Sequence, residues 1–109
     1  MARAERYRSA GADGIFVPAV TNADEIRKIA SAVRLPLNVL ARPGLPPASE
    51  LQALGVRRLS AGSWIAAAAL GRASSLADLF LRTGASEPLT EGAIPYAEVN
   101  ALMADRRRA

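Results

Sequence analysis

Residues 14–41 read GIFVPAVTNADEIRKIASAVRLPLNVLA, and this stretch decides the fold. It opens with a short, nearly continuous apolar run at 14–20 that is rich in β-branched and aromatic residues, which is typical of a strand buried on both faces. Thr21 or Asn22 then caps a segment whose apolar residues recur at the spacing of an amphipathic helix. A Leu-Pro pair ends that helix, and residues 37–41 form a second apolar run. The pattern predicts a strand, a helix and a second strand.

The same unit recurs farther along the chain. A proline-rich loop at 42–47 leads into a short helix at 49–54 that Gly55 ends, and residues 57–62 form a third predicted strand. The predicted strands start near 14, 37 and 58, a period of roughly 22 residues. Alternation of this kind is typical of a parallel sheet with right-handed crossovers.

Further helices are predicted on both sides of these units. They cover residues 1–10, 63–83 and 95–108, and a polar loop at 86–90 separates the last two. The long helix at 63–83 has apolar residues that we expect to face a core. They are Ile65, Leu70, Leu76, Leu79 and Phe80.

We therefore expect one partial domain, residues 1–109, of the α/β class. It would form the C-terminal part of a TIM (β/α)8 barrel, with about three βα units plus terminal helices. A complete barrel takes roughly 250 residues, and three parallel strands do not close, so both outer strands expose an edge. Three interpretations stay open: part of a larger barrel, a truncated gene product, or a small α/β domain that assembles with partners.

Length and composition exclude several classes of protein. The chain has 109 residues, 50% of them hydrophobic and 22% charged, which is typical of one globular domain. It contains no cysteine and no histidine, so disulfides, thiolate nucleophiles, Cys/His zinc sites and Ser-His-Asp triads are excluded. Carboxylates, hydroxyls, guanidinium groups, amides and backbone N–H groups remain for chemistry.

The net charge of +4 rests on 13 Arg and one Lys against 10 acids. A clustered basic face would indicate a nucleic-acid partner, but these arginines are scattered and concentrate only at the two ends, as at 106–108. We therefore expect no nucleic-acid partner. The longest apolar run, Trp64–Leu70, has seven residues where a membrane span needs about 20. We accordingly expect no membrane partner and a cytoplasmic location.

Four blocks of sequence carry a resemblance to a known family. They read AGADGIFVP at 10–18, LPLNVL at 35–40, LGVRRLSAG at 54–62 and PYAEVNAL at 95–102. In this order and at this spacing, the chain resembles the isocitrate lyase/phosphoenolpyruvate mutase family. The similarity is to the last three βα units and the C-terminal helices of that family.

The resemblance implies a Mg²⁺-dependent lyase or mutase that acts on carbon–carbon or carbon–phosphorus bonds of 2-oxo or 2-hydroxy carboxylic acids. It also implies that the acidic metal-binding motifs belong to the first half of the barrel, which no residue here matches. Where many lyase-type relatives carry a glutamate after the valine, this chain has Pro18. We therefore expect no catalytic residue and no metal ligand in this chain, and no activity of the isolated chain. The resemblance further implies a homo-oligomer, since members pack C-terminal helices between subunits.

Candidates for substrate binding lie where the predicted strands end, because functional groups of a parallel barrel sit there. Asn38, a polar residue in an apolar run, either binds a substrate carboxylate or carbonyl or satisfies buried backbone groups. Arg42 either pairs with a substrate carboxylate or is a solvated loop residue. Ser60, Gly62 and Ser63 belong to a turn at a helix N-terminus, which suits an anion, although tight packing explains Gly62 equally well.

Two other residues have structural interpretations. Asp13 precedes a predicted strand and is expected to be a turn residue at the N-terminal face of the barrel. Trp64 opens the long helix and is expected to make an apolar contact with a helix or subunit outside this chain. Neither residue is expected to take part in chemistry.

Three functions remain open from the sequence. The first is a C-terminal fragment of a lyase or mutase of the resembled family. The second is a non-catalytic α/β module that associates through its exposed edges and terminal helix. The third is the second half of a different phosphate-binding barrel that uses the turn at 60–63. Mg²⁺-dependent turnover of an oxo acid by a longer gene product distinguishes the first from the others.

Overall fold

The computed structural model describes residues 2–105 of the chain. In chain order its elements are α1 (Ala2–Ser9), β1 (Ile15–Val17), α2 (Ala23–Val33), β2 (Leu37–Leu40), α3 (Ala48–Ala53), β3 (Val56–Ser60), α4 (Trp64–Thr83), α5 (Glu87–Thr90) and α6 (Tyr96–Asp105). They divide into two compact units, Met1–Ile65 and Ala66–Ala109. The predicted alternation of strands and helices is confirmed in the first unit.

The three strands form one parallel sheet in the order β1-β2-β3. This confirms the predicted α/β class with a small parallel sheet. The strand predicted at 14–20 contracts to β1, because Pro18 has no N–H with which to continue the ladder. The strand predicted at 57–62 starts one residue earlier and ends two residues earlier than expected.

A β-bulge interrupts the pairing of β2 with β3. Leu37 pairs with Val56, but the next residue of β2, Asn38, pairs with Arg58. Arg57 is therefore an extra residue in β3, opposite no residue of β2. Because side chains alternate between the two faces of a sheet, the extra residue reverses the alternation along the rest of β3.

A hydrophobic core fills the first unit on one face of the sheet. Apolar side chains from the sheet, α2, α3 and the adjoining loops form it together. Its buried residues are Val20, Ile26, Leu37, Val39, Leu51, Leu54 and Val56. Ile26 and Val39 have no exposed surface, so the apolar stripe predicted for α2 does face a core. Along β1, Phe16 alternates with Ile15 and Val17, which pack against this core, and it is 50% exposed.

Local backbone chemistry explains both ends of α2. Of the two predicted caps, Asn22 is the one that forms: its side chain accepts a hydrogen bond from the backbone N–H of Glu25 at 3.0 Å. The helix ends at Arg34, whose backbone is left-handed with φ 51° and ψ 32°. Glycine is the usual residue in that conformation, and Arg34 is the one non-glycine residue with a positive φ in the described chain.

The second unit consists of helices, and none of residues 66–104 is buried. The prediction that one side of the long helix is buried is therefore wrong: Leu70 is 70% and Phe80 43% exposed, and Leu76 and Leu79 are only half-buried. The helix α4 has 20 residues, and a stretch of 18 of them has a mean hydropathy of 1.2, so it is long and apolar enough to cross a membrane. Core helices of globular proteins can be equally long and apolar, so these two properties show only that α4 has a strongly apolar surface.

The C-terminal elements differ from the sequence prediction in two places. Residues 86–90, predicted as a loop, contain the short helix α5, which has a proline in its first turn. The helix predicted at 95–108 is α6 as far as Asp105. The arginines at 106–108 lie outside the described residues.

Candidate functional site

The candidate site lies at the carboxyl edge, which we define as the ends of β1, β2 and β3 and the loops that follow them. Because the strands are parallel, these ends meet at one edge of the sheet. Pro18 follows β1, Ala41 and Arg42 follow β2, and Ser60 ends β3. Four of the five predicted site residues, Arg42, Ser60, Gly62 and Ser63, therefore belong to this edge.

Hydrogen bonds connect the three loops of the carboxyl edge. The guanidinium Nη1 of Arg42 donates to the backbone carbonyl of Pro18 at 3.4 Å. The backbone N–H of Ala41 donates to the carbonyl of Ser60 at 2.8 Å. Arg42 is exposed and its contact with Pro18 is long, so its remaining N–H groups stay available to an anion.

The turn between β3 and α4 is closely packed. Gly62 has φ 59°, which favours glycine, and a Cβ there would lie 2.9 Å from Cδ1 of Leu40, so the end of that side chain would have to shift. The backbone N–H of Trp64 donates to the carbonyl of Ala61 at 3.3 Å, which uses one of the free N–H groups expected at this helix start. The packing interpretation of Gly62 is thus supported, and Ser60 and Ser63 remain as the hydroxyl donors of the turn.

Trp64 also makes a contact that the sequence analysis did not anticipate. Its indole Nε1 donates to the carbonyl of Ala41 at 2.7 Å, which joins the start of α4 to the loop after β2. The residue is 55% exposed. A tryptophan at a helix start carries no sequence signal for this bond, because the acceptor is a backbone carbonyl from a neighbouring strand end.

Asn38 lies deeper in the sheet than the other candidates. It is 7% exposed, and neither polar atom of its amide has a hydrogen-bond partner in the described chain. The alternative that it satisfies buried backbone groups therefore does not hold. With Phe16 and Arg58 on either side of it, Asn38 lines an open cleft of about 410 Å³. Asp13 and Pro36, which precede β1 and β2, line the same cleft, so it opens toward the amino ends of the strands.

Arg58 and Phe16 are the neighbours of Asn38 that sequence reasoning missed. The β-bulge at Arg57 determines on which face of the sheet Arg58 lies, and no pattern in the sequence predicts that bulge. Asp13 lies at the amino end of β1, where the sequence analysis placed it as a turn residue.

The residues of the carboxyl edge do not fit a Mg²⁺ ion. Mg²⁺ prefers carboxylate ligands, with other oxygens, in octahedral geometry, whereas the described side chains of this edge include no carboxylate. They offer the guanidinium of Arg42, the hydroxyls of Thr21, Ser60 and Ser63, and the amide oxygen of Asn22, which already accepts a hydrogen bond. Among the residues that the structure describes, no group of three or more His, Cys, Asp or Glu side chains could hold a metal ion. What the edge can do is bind and orient an anion.

The profile of a protein family described as phosphoenolpyruvate phosphomutase matches residues 1–81. The matched segment contains all three strands, α1 to α3, and α4 to within two residues of its end. This match contains three of the four sequence blocks, those at 10–18, 35–40 and 54–62, and confirms the resemblance.

Curated relatives extend the match almost to the C-terminus. An uncharacterized protein from each of two strains of Mycobacterium tuberculosis is 39% identical over 108 residues. The alignment covers 94% of this chain but only 38% of each relative. The chain therefore spans well under half the length of the curated relatives it matches.

Solved structures give the same result. A Burkholderia cenocepacia protein provisionally named a lyase/mutase is 41% identical, with a TM-score of 0.83 over 94% of this chain and 37% of that protein. Another from the same organism, provisionally named a phosphonomutase, is 37% identical, with a TM-score of 0.66 over 72% of this chain and 32% of that protein. A phosphoenolpyruvate phosphomutase from Streptomyces platensis subsp. rosaceus shares the fold, at 21% identity and a TM-score of 0.77 over 97% of this chain and 38% of that protein. The fold is that of part of a TIM-barrel enzyme.

Proposed function

The chain belongs to the phosphoenolpyruvate phosphomutase family, and we propose that it supplies the last three βα units and following helices of a lyase or mutase. The substrate class is a small 2-oxo or 2-hydroxy carboxylic acid or a related phosphonate. The observation that supports the proposal is the position of Arg42 at the carboxyl edge. Arg42 follows β2, donates one hydrogen bond to the loop after β1, and has further N–H groups without a partner among the described residues. In parallel α/β folds, ligands bind at this end of the strands.

The four candidate residues of the carboxyl edge have binding roles in this proposal. The Arg42 guanidinium pairs with a substrate carboxylate in a planar, two-pronged hydrogen bond. The hydroxyls of Ser60 and Ser63 donate to the same or a second acidic group, and Gly62 keeps their turn tight against β2. Together these groups orient an acid, and none of them is placed as a catalytic residue. Asn38 is not placed in this set, because the cleft that it lines opens toward the amino ends of the strands and contains none of these residues.

A Mg²⁺ ion in a complete enzyme of this family would stabilise negative charge that develops on an enolate-like oxygen. The described residues of the carboxyl edge do not fit that ion, so we expect its ligands to come from other residues. We therefore expect the isolated chain to bind an acid without converting it.

A second candidate function, a module that associates without catalysis, has its own support. Phe16 is 50% and Leu59 43% exposed, and β1 and β3 each have an edge with no strand beside it in the described chain. Open edges and exposed apolar side chains favour association, including the homo-oligomer expected from the resemblance. The third alternative, an unrelated phosphate-binding barrel, loses its basis because the family match covers residues 1–81.

The cytoplasmic location remains part of the proposal. The apolar helix α4 lies almost entirely inside the family match, so we interpret it as an element of the enzyme fold rather than a membrane anchor. We do not propose a nucleic acid or a membrane as a partner of the carboxyl edge.

The test is a titration of the chain with pyruvate, the simplest 2-oxo acid, followed by amide chemical shifts in the loops of the carboxyl edge. Arg42→Ala is expected to weaken binding about tenfold or more, because a hydrogen bond between charged groups contributes roughly 1.5–3 kcal/mol. Arg82→Ala, which removes an equal charge at the end of α4, is the matched control and is expected to bind as the parent does. Equal binding by parent and Arg42→Ala, or turnover by the isolated chain with Mg²⁺, would contradict the proposal.

A further inference from the structure

A second cleft lies at the amino ends of the strands, opposite the carboxyl edge. It has a volume of about 490 Å³ and is formed by the end of α2, the loop before β2 and the loop before β3. Three arginines line it, Arg27, Arg34 and Arg57, and no acidic residue does. We name it the arginine cleft. All of its residues belong to the first unit.

Arg34 reaches the arginine cleft from an unfavourable backbone position. It is the residue that ends α2, and its φ of 51° lies in the left-handed region, where a side chain crowds the backbone. Glycine adopts this conformation without that crowding and is the usual residue at such a helix end. The backbone conformation at position 34 therefore does not explain why an arginine stands there. What arginine provides and glycine does not is a guanidinium group in the cleft.

Arg57 reaches the arginine cleft through a different irregularity. It is the extra residue of the β-bulge, between Val56, which is buried in the core, and Arg58, which lines the cleft beside Asn38. Bulges redirect side chains relative to the regular alternation of a strand. Two independent departures from regular backbone thus bring arginines to one cleft.

The charges around the arginine cleft leave it positive. Arg27 pairs with Asp24 at 2.8 Å, but both side chains are largely exposed. Arg34 and Arg57 form no ion pair with any residue that the structure describes. The hydrogen bond with Arg8 is the main cause that lowers the pKa of Glu5, and the charge of Arg34 lowers it further as a lesser cause. The ends of α2 and α3 contribute only about half a negative charge each, less than the arginines supply.

We propose that the arginine cleft binds a small polyvalent oxyanion, such as a phosphate ester or a polycarboxylate. Guanidinium groups recognise phosphate and carboxylate through paired N–H donors, and a pair of arginines without carboxylate partners suits an anion with more than one charge. The volume lies within the range of small-molecule sites. The bound anion lies a strand's length, roughly 13 Å, from the carboxyl edge, so it acts as an effector or a second ligand rather than as the substrate.

The experiment titrates the chain with pyrophosphate and, separately, with citrate at constant ionic strength, and follows binding by calorimetry and amide chemical shifts. Saturable binding of either anion is expected, with shifts at 27–36 and 53–57 and none in the loops of the carboxyl edge. Arg34→Gly is the decisive variant. Glycine relieves the left-handed backbone, so the melting temperature is expected to hold or rise while affinity falls about tenfold, as for one lost charge-assisted pair.

Arg57→Gln is expected to weaken binding by a similar factor. Arg58→Gln is the matched control: it removes the same charge from the next residue, which does not line the arginine cleft, and is expected to keep the parent affinity. If Arg58→Gln weakened anion binding as much as Arg57→Gln does, the proposal would be overturned, because the anion would then respond only to the net charge of the chain. Absence of saturable binding, or binding of a single-stranded oligonucleotide but of neither small anion, would overturn it as well. None of these results would affect the pyruvate test, which depends on Arg42.

Discussion

The two units of this chain have similar proportions of apolar residues and bury them very differently. In the first unit, seven apolar residues form a buried cluster between the sheet and its helices. In the second, none of residues 66–104 is buried, although its part of α4 alone carries Leu70, Phe80 and Leu81. Apolar composition therefore does not make a core: a sheet with helices against one face brings together residues from distant positions, whereas the helical unit leaves its apolar residues exposed.

The largest change in the free energy of unfolding is expected from a substitution in the core of the first unit. Leu37→Ala removes a side chain that is 1% exposed and is expected to lower the free energy of unfolding by about 2–5 kcal/mol, because it leaves a cavity. Urea-induced unfolding, followed by the fluorescence of Trp64, measures this, since that indole is bonded to Ala41 within the first unit.

The matched control lies in the second unit. Leu81→Ala removes the same atoms from a side chain that is 82% exposed, and we expect a change below about 0.5 kcal/mol. If Leu81→Ala lowered the free energy of unfolding strongly, or Leu37→Ala lowered it only a little, the contrast between the units would not hold for the chain in solution.

A smaller effect compares the helix starts of the two units. Asn22 caps α2 with a side-chain hydrogen bond, whereas Ser86 precedes α5 without one. Asn22→Ala is therefore expected to lower the free energy of unfolding by about 1 kcal/mol, and Ser86→Ala to leave it nearly unchanged. Thermal melts monitored by circular dichroism distinguish the two, and similar losses from both variants would contradict the assignment of the cap.

The smallest effect has the opposite sign and concerns the one buried polar residue of the described chain, Asn38. Its amide has no hydrogen-bond partner, so Asn38→Leu is expected to raise the free energy of unfolding by up to about 1 kcal/mol. The same urea titration measures it. A destabilised variant would contradict this expectation and would show that the amide finds a partner in solution.

Much of the first unit was predictable from local pattern. Short apolar runs separated by an amphipathic helix and punctuated by proline and glycine predict parallel strands, and the sheet order confirms this. The buried face of α2 followed from the spacing of residues such as Ile26. The prediction for α4 failed because periodicity shows which side of a helix is apolar and not whether anything packs against it.

The candidate site was partly predictable for a similar reason. Arg42 and Gly62 follow predicted strands, and the carboxyl ends of parallel strands must share an edge. The indole bond of Trp64 and the position of Arg58 were not predictable, because each depends on a neighbouring strand: the first on a backbone carbonyl of the loop after β2, the second on a bulge opposite Asn38.

The sequence by itself determined the parallel strand-helix alternation, the family, and the absence of cysteine and histidine chemistry. These follow from residue types and short-range spacing. Only the tertiary structure decided how the scattered arginines are grouped. Arg27, Arg34 and Arg57 lie up to 30 positions apart in the chain, yet they line one cleft, because a left-handed helix end and a β-bulge turn two of them toward it. Charge patterning along a chain does not show such a cluster, since the clustering arises from backbone geometry between elements.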